Sequence, residues 1–249
     1  MDRQLMSSIA HRNHPIAAPL DEASIRTLLE HALPRGEGRL LDVGCGFGAW
    51  PVQALTAYPA VRAEGVDVSA AALERAEQAA KEAGVADRLA LHRCEAAAYR
   101  PEHRFDAVLC VGSTHAYGGL VPTLAALREH LAPGGTALVG EGFWEREPDP
   151  AALTGLGAEA EEFSDLATTV DRVRAEGWTP VYAHVSSLRE WDMYEWSWTG
   201  SLSRWALDNP DHPDSAAALE AADEHRAGWL RGYRGVFGFV SLVLRRTAD

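Results

Sequence analysis

Lysine is nearly absent. Lys81 is the single lysine in a Lys+Arg total of 23, so arginine carries almost all of the positive charge. That scarcity excludes any mechanism needing a lysine elsewhere, such as a Schiff base or a Tyr-x-x-x-Lys pair. Cysteine is scarce as well. The 3 cysteines, Cys45, Cys94 and Cys110, have no C-x-x-C spacing. Such usage fits reduced thiols in a cytoplasmic protein, not a disulfide framework. No apolar run approaches the roughly 18 residues of a membrane helix, and MDRQLMSSIAHRNHP lacks the apolar stretch of a secretory signal. Positive charge is outweighed by 36 acidic residues, for a net charge of −13. A basic surface for nucleic acid is therefore not expected, and neither a nucleic-acid nor a membrane partner is called for.

What is present is an ordinary globular composition, 47% hydrophobic and 24% charged over 249 residues. Strand-like and helix-like segments alternate. Residues 1–19 read as irregular, with Pro15 and Pro19 as breakers. A helix is predicted from Asp21 to Leu33, and RLLDV (Arg39–Val43) is a short apolar strand running into glycines. Further strands are predicted at 61–68, 88–93, 105–111, 136–141, 179–185 and 236–244, with Pro133-Gly134-Gly135 as a turn before the fifth. Helices are predicted between most of them, and FWEREPDP reads as a loop. The alternation implies an α/β domain with a parallel sheet. The expected organisation is one domain over 1–249, with a core at 20–141 and a helical insertion at 186–234 over the sheet's active edge.

The strongest local signal is LLDVGCGFG (residues 40–48), where a strand runs into glycines and then a helix. Glycines let the backbone approach a ligand closely, and a helix N-terminus offers free N–H groups to an anion. Asp67 ends the next strand, where a carboxylate accepts both hydroxyls of a ribose. Gly44, Gly46 and Ala49 also fit a dinucleotide fingerprint. The missing Tyr–Lys pair removes that dehydrogenase reading.

Together these segments resemble the class I S-adenosylmethionine (SAM) methyltransferases, most of all the small-molecule branch. Asp42, Gly44, Cys45, Gly46 and Gly48 occupy the places of that family's first motif. GVDVS (residues 65–69) matches the second, with Asp67 as the implied ribose ligand and Val68 against the adenine. FDAVLCVGSTHAYGG and LAPGGTALVG match later strands and turns, and Gly112 joins the implied cofactor residues. Where the family often has Gly-Asp after the third strand, this chain has Cys94-Glu95. The resemblance therefore assigns the adenine amino group to Glu95, and an adenine-facing backbone N–H to Ala96. It implies a Rossmann-like, doubly wound sheet of seven strands with an antiparallel edge strand. It implies SAM as cofactor and S-adenosylhomocysteine (SAH) as product.

Methyl transfer to oxygen or nitrogen is an in-line displacement, and the acceptor often needs a base. His115, just past the fourth strand, suits general-base work, and Glu141 at the end of the fifth is the second candidate. Tyr117 would orient the acceptor. No Asp-Asn pair stands at these strand ends, so a metal is not expected.

Five of the 8 tryptophans lie between Trp178 and Trp205. Trp191, Tyr194, Trp198, Leu202 and Trp205 share one helical face, as core residues do. The off-stripe Trp196, with Glu195 beside it and Trp144 earlier, is the expected pocket for a small aromatic or amine acceptor. Two readings stay open beside methyl transfer: a non-catalytic, methyltransferase-like regulator that holds SAM or SAH, and another SAM-dependent reaction such as a cyclisation.

Overall fold

The computed structural model describes residues 3–247. Among them are seven strands: β1 (Glu37–Val43), β2 (Ala60–Asp67), β3 (Leu89–Arg93), β4 (Phe105–Val111), β5 (Leu131–Trp144), β6 (Trp178–Val185) and β7 (Phe237–Arg246). They form one sheet in the order β3-β2-β1-β4-β5-β7-β6. β1 is parallel to β2 and β4, β2 to β3, and β4 to β5, whereas β6 runs antiparallel to β7. This is the Rossmann-like, doubly wound sheet that the resemblance implied. In β4 every residue but Asp106 is buried, as a central strand covered on both faces requires. Strand order reverses between β1 and β4. Ligands of open α/β sheets sit at that switch point, outside the carboxyl ends of the strands.

The helices are α1 (Arg3–Ala10), α2 (Glu22–Ala32), α3 (Ala49–Ala57), α4 (Ala70–Glu82), α5 (Leu120–His130), α6 (Pro150–Leu156), α7 (Leu166–Ala175), α8 (Leu188–Asp208) and α9 (Ser215–Gly228). At α2, α4, α6 and α8 a side chain satisfies the first free backbone N–H groups. Asp21 accepts from Ser24 N at 2.8 Å, and Ser69 from Ala72 N at 3.2 Å. At α8, Ser187 and Glu190 form a reciprocal capping box. None of the described helices is long and apolar enough to cross a membrane.

Contacts divide the chain into two compact units. The sheet unit holds Asp21–Glu141, Ala167–Val185 and the chain from Val240 on. In it, Arg88 donates to the carbonyls of Leu55, Tyr58 and Val61 at 2.7, 3.0 and 3.1 Å. One guanidinium thus closes the end of α3 and the start of β2. The helical unit holds the chain up to Leu20, Gly142–Leu166 and Ser186–Phe239. There Ile9 and Ala10 of α1 pack with Leu202 and Ala206 of α8 and Ala218 and Ala222 of α9. α6 comes close to the end of α9, since a Cβ on Gly155 would lie 2.5 Å from Gly228 O.

Three segments differ from the sequence expectations. α1 lies inside the stretch expected to be irregular, because Met6, Ile9 and Ala10 repeat at helical spacing ahead of the prolines. α6 starts on the last residue of the predicted FWEREPDP loop, with Asp149 as cap and Pro150 at the first turn. β5 begins at Leu131, and Pro133-Gly134-Gly135 is absorbed as a register shift between Phe105 and Ala107.

Candidate cofactor site at the switch point

The glycine loop is tied to β2 by its own backbone. Gly44 N and Cys45 N both donate to Val66 O, at 2.8 and 3.0 Å. Gly44 has φ +75°, and a Cβ there would lie 2.5 Å from the Ser113 side chain, so only glycine fits. Ser113 Oγ in turn donates to Val43 O at 2.8 Å, fastening the loop after β4 to the end of β1. Sequence reasoning passed over Ser113. Its signal was its place directly after Gly112, in the loop that follows the strand beside β1.

Asp67 and the loop meet directly. Asp67 Oδ2 accepts from Gly46 N at 2.8 Å, and Oδ1 accepts from Ser69 N at 2.9 Å. A carboxylate oxygen accepts more than one hydrogen bond, so both keep capacity for hydroxyl donors. Gly46 has φ +50°, and a Cβ built on it would meet nothing within 4 Å. The loop therefore opens onto free space beside the carboxylate.

Asp42 sits behind this loop, 2% exposed. Its Oδ2 is buried without a hydrogen-bond partner. Burial, and then the charge of Asp67, push its carboxyl up to about 8. Cys45 is buried with its Sγ against Gly65, where an added Cβ would lie 2.8 Å away. Burial drives its thiol far up, so it packs as a neutral side chain and not as a nucleophile.

On the other side, Val68 is 53% exposed and Glu95 is exposed at the start of a short 3-10 turn, Ala96–Ala98. Ala96 is buried, and its carbonyl accepts from Tyr117 Oη at 3.3 Å. Burial pushes the Tyr117 phenol up to about 12, which keeps it a proton donor at neutral pH. His115 is exposed on the 3-10 turn Thr114–Tyr117, which Gly118 ends in the left-handed conformation. Gly112, at φ +71°, donates to Gly140 O at 3.3 Å, and Glu141 is half-buried one residue further along β5. The structure thus joins Gly46 directly to Asp67, ties Gly44 and Cys45 to the neighbouring Val66, and joins Ala96 to Tyr117. Among the described residues no group of three or more His, Cys, Asp or Glu could hold a metal ion.

The three expected acceptor residues lie in the helical unit. Trp144 is buried, its indole N–H donates to Ala160 O at 2.9 Å, and its ring meets Phe237 edge-on at 5.2 Å. Trp196 is 52% exposed and meets Trp229 edge-on at 5.3 Å. Glu195 is 2% exposed. Its carboxylate accepts from His225 Nε2 and Tyr233 Oη, each at 2.7 Å, and Trp198 stacks on His225 at 3.9 Å. The sequence expectation set Glu195 beside an acceptor, whereas the structure encloses it in this packed network. A buried carboxylate needs such donors.

Residues 40–135 match a family model described as a methyltransferase domain. The uncharacterized protein YjhP of Escherichia coli is 29% identical over 98% of this chain and 100% of its own length. Its solved structure has a TM-score of 0.88 over 97% of this chain and 99% of that one, at 26% identity. A SAM-dependent methyltransferase of Geobacter sulfurreducens, solved in complex with SAH, has a TM-score of 0.90 at 24% identity, covering 97% and 98% of the two chains. The 27-O-demethylrifamycin SV methyltransferase of Amycolatopsis mediterranei is 32% identical over 62% of this chain and 56% of its own length. Over residues 40–135 the chain is thus similar to methyltransferase domains, and over nearly its whole length it shares the fold of a methyltransferase solved with SAH.

Proposed function

We propose that this protein transfers a methyl group from SAM to an oxygen or nitrogen atom of a small molecule. The observation that carries the reading is the contact of Gly46 N with Asp67 Oδ2 beside open space at the strand-order reversal. Two relatives support it by what they are named for: one structure was solved with SAH, and the rifamycin enzyme is named for methylating a small molecule's oxygen. The −13 net charge favours a small acceptor over a nucleic acid.

In this reading Asp67 accepts the ribose hydroxyls, Gly44, Gly46 and Gly112 keep the backbone close, and Glu95 with Ala96 holds the adenine. SAM supplies an activated methyl on a sulfonium, so the protein's task is to orient, dehydrate and deprotonate the acceptor. Orientation alone is worth about 7–11 kcal/mol of barrier. His115 is the base we favour because it is exposed just past β4, and Glu141 is second. Tyr117, held on Ala96 O, positions that turn. We assign the acceptor contact to Trp196, whose exposed ring has the Arg226 guanidinium 5.9 Å away. A cation already over that ring favours an aromatic acceptor over a charged amine.

The test is transfer of a labelled methyl from SAM into a cytoplasmic metabolite pool. We expect one labelled product class, and His115→Ala to cut turnover about 100-fold or more while SAH affinity stays level. Full turnover in that variant moves the base to Glu141. Absence of transfer across the pool with SAH still bound would favour the non-catalytic regulator instead.

A further inference from the structure

Between β3 and β4 the described chain has no α-helix. It has only the Ala96–Ala98 turn and an irregular stretch to Arg104. A turn this short has only two bonds of its own, Ala98 N to Glu95 O at 2.9 Å and Tyr99 N to Ala96 O at 3.3 Å, so other groups must help hold it. Its entrance is tied by Cys94 N to Asp67 O at 3.2 Å. Its middle is tied by Tyr117 Oη and by Tyr99 N, each 3.3 Å from Ala96 O. Its exit is tied by one side chain from the inner strand β2.

That side chain is Glu64. Tyr99, buried, donates its hydroxyl to Glu64 Oε2. His92 of β3 places Nε2 at 2.8 Å from the same oxygen. His103 places Nε2 at 2.9 Å from Oε1, within ion-pair range but without hydrogen-bond alignment. A carboxylate on a sheet face is costly to bury without partners, and here three side chains supply them. Burial and the accepting carboxylate push the Tyr99 phenol upward, so it stays a donor.

We infer that Glu64 is a positioning residue for the adenine side of the cofactor site, because its carboxylate gathers Tyr99, His92 and His103 and so holds the turn that bears Glu95 and Ala96. The inference rests on the SAM reading above. Glu64 touches no ligand in this account; it acts through Tyr99.

The experiment is calorimetric titration of SAH, and separately of adenosine, into the wild type, Glu64→Ala, Glu64→Gln and Tyr99→Phe, with circular dichroism as the check on folding. Glu64→Ala and Tyr99→Phe should each weaken SAH about tenfold, and adenosine by the same factor, because one buried hydrogen bond to a charged group is lost. Glu64→Gln keeps an amide oxygen for the Tyr99 hydroxyl and should stay within about threefold of wild type. If Glu64→Ala does not fold, Tyr99→Phe carries the test, since it removes one hydroxyl and no volume beyond it. Wild-type SAH binding with Tyr99→Phe matching it overturns the inference and leaves the cofactor reading standing. Glu64→Gln binding as weakly as Glu64→Ala also overturns it. A wild type that binds neither ligand overturns the cofactor reading, and this inference with it.

Discussion

Asp42 has the most perturbed carboxyl of the cofactor loop, and its consequence is a pH dependence of stability. Its folded value near 8 stands above the usual value of 3.8. The folded chain therefore holds this proton more tightly than the unfolded chain does. Its contribution to stability is fully present below about 4 and is lost as the pH climbs through about 8, at up to about 1.4 kcal/mol per pH unit. Melting temperature should accordingly fall between pH 6 and pH 8.5 in the wild type, and less steeply in Asp42→Asn. Equal slopes for the two proteins would remove Asp42 as the cause. Some of the site at this scale was legible in the sequence. Gly44, Gly46 and Asp67 were readable because a strand–glycine–helix junction followed by an acid is a local pattern. Glu195 was not. Its partners His225 and Tyr233 lie 30 and 38 residues further on, so nothing in the neighbouring acids and tryptophans distinguished a pocket acid from a buried one. Glu64 is the same case, since its donors lie on β3 and on the stretch beyond it.

At the scale of elements, glycines do in the helical unit what motifs do in the sheet unit. Gly155 on α6 and Gly228 at the end of α9 bring two backbones into contact, each blocking a Cβ on the other at 2.5–2.9 Å. Gly155→Ala drives a methyl into a backbone carbonyl, which cannot rotate away as a side chain would. We expect a loss of about 1–3 kcal/mol in thermal or urea unfolding, the usual cost of overpacking. An unchanged midpoint would mean that α6 shifts freely. At the start of α8, Ser187→Ala removes half of a reciprocal cap and should cost about 1 kcal/mol, read in the same unfolding experiment. Equal midpoints there would put the start of α8 under the control of packing alone. The helix predicted from Asp21 does start there, with Asp21 as its cap, because an N-cap is a local event. α6 carried its own signals, Asp149, Pro150 and Gly157, yet its 7 residues are too few for a periodic pattern to stand out. α9 ends at Gly228 and the chain continues in a π-helical turn over Trp229–Tyr233. That change of pitch accompanies the close approach of α6, which no sequence period encodes.

For the whole molecule, the alternation of strands and helices was enough to reach a parallel α/β sheet. The crossover that puts β4 beside β1 follows from the family resemblance and from the order in which strands fill a doubly wound sheet. The single lysine kept its meaning, since the contacts at the switch point are made by Asp67 and the backbone amides of the glycine loop. Two of the acids behind the net charge of −13 act on each other: Asp42 is pushed toward its protonated form by burial and by the charge of Asp67. The division into two units follows from contacts spread over three separate stretches of each, a long-range property that no local pattern carries. The central claim is that the Gly44–Gly46 loop and Asp67 together bind the cofactor of a methyl transfer. Its most direct test is calorimetric titration of SAH into the wild type and into Asp67→Ala. The account predicts one site per chain in the wild type and a loss of about tenfold or more in the variant, the scale of hydrogen bonds to a charged group. No binding to the wild type, or equal binding to both proteins, would contradict it.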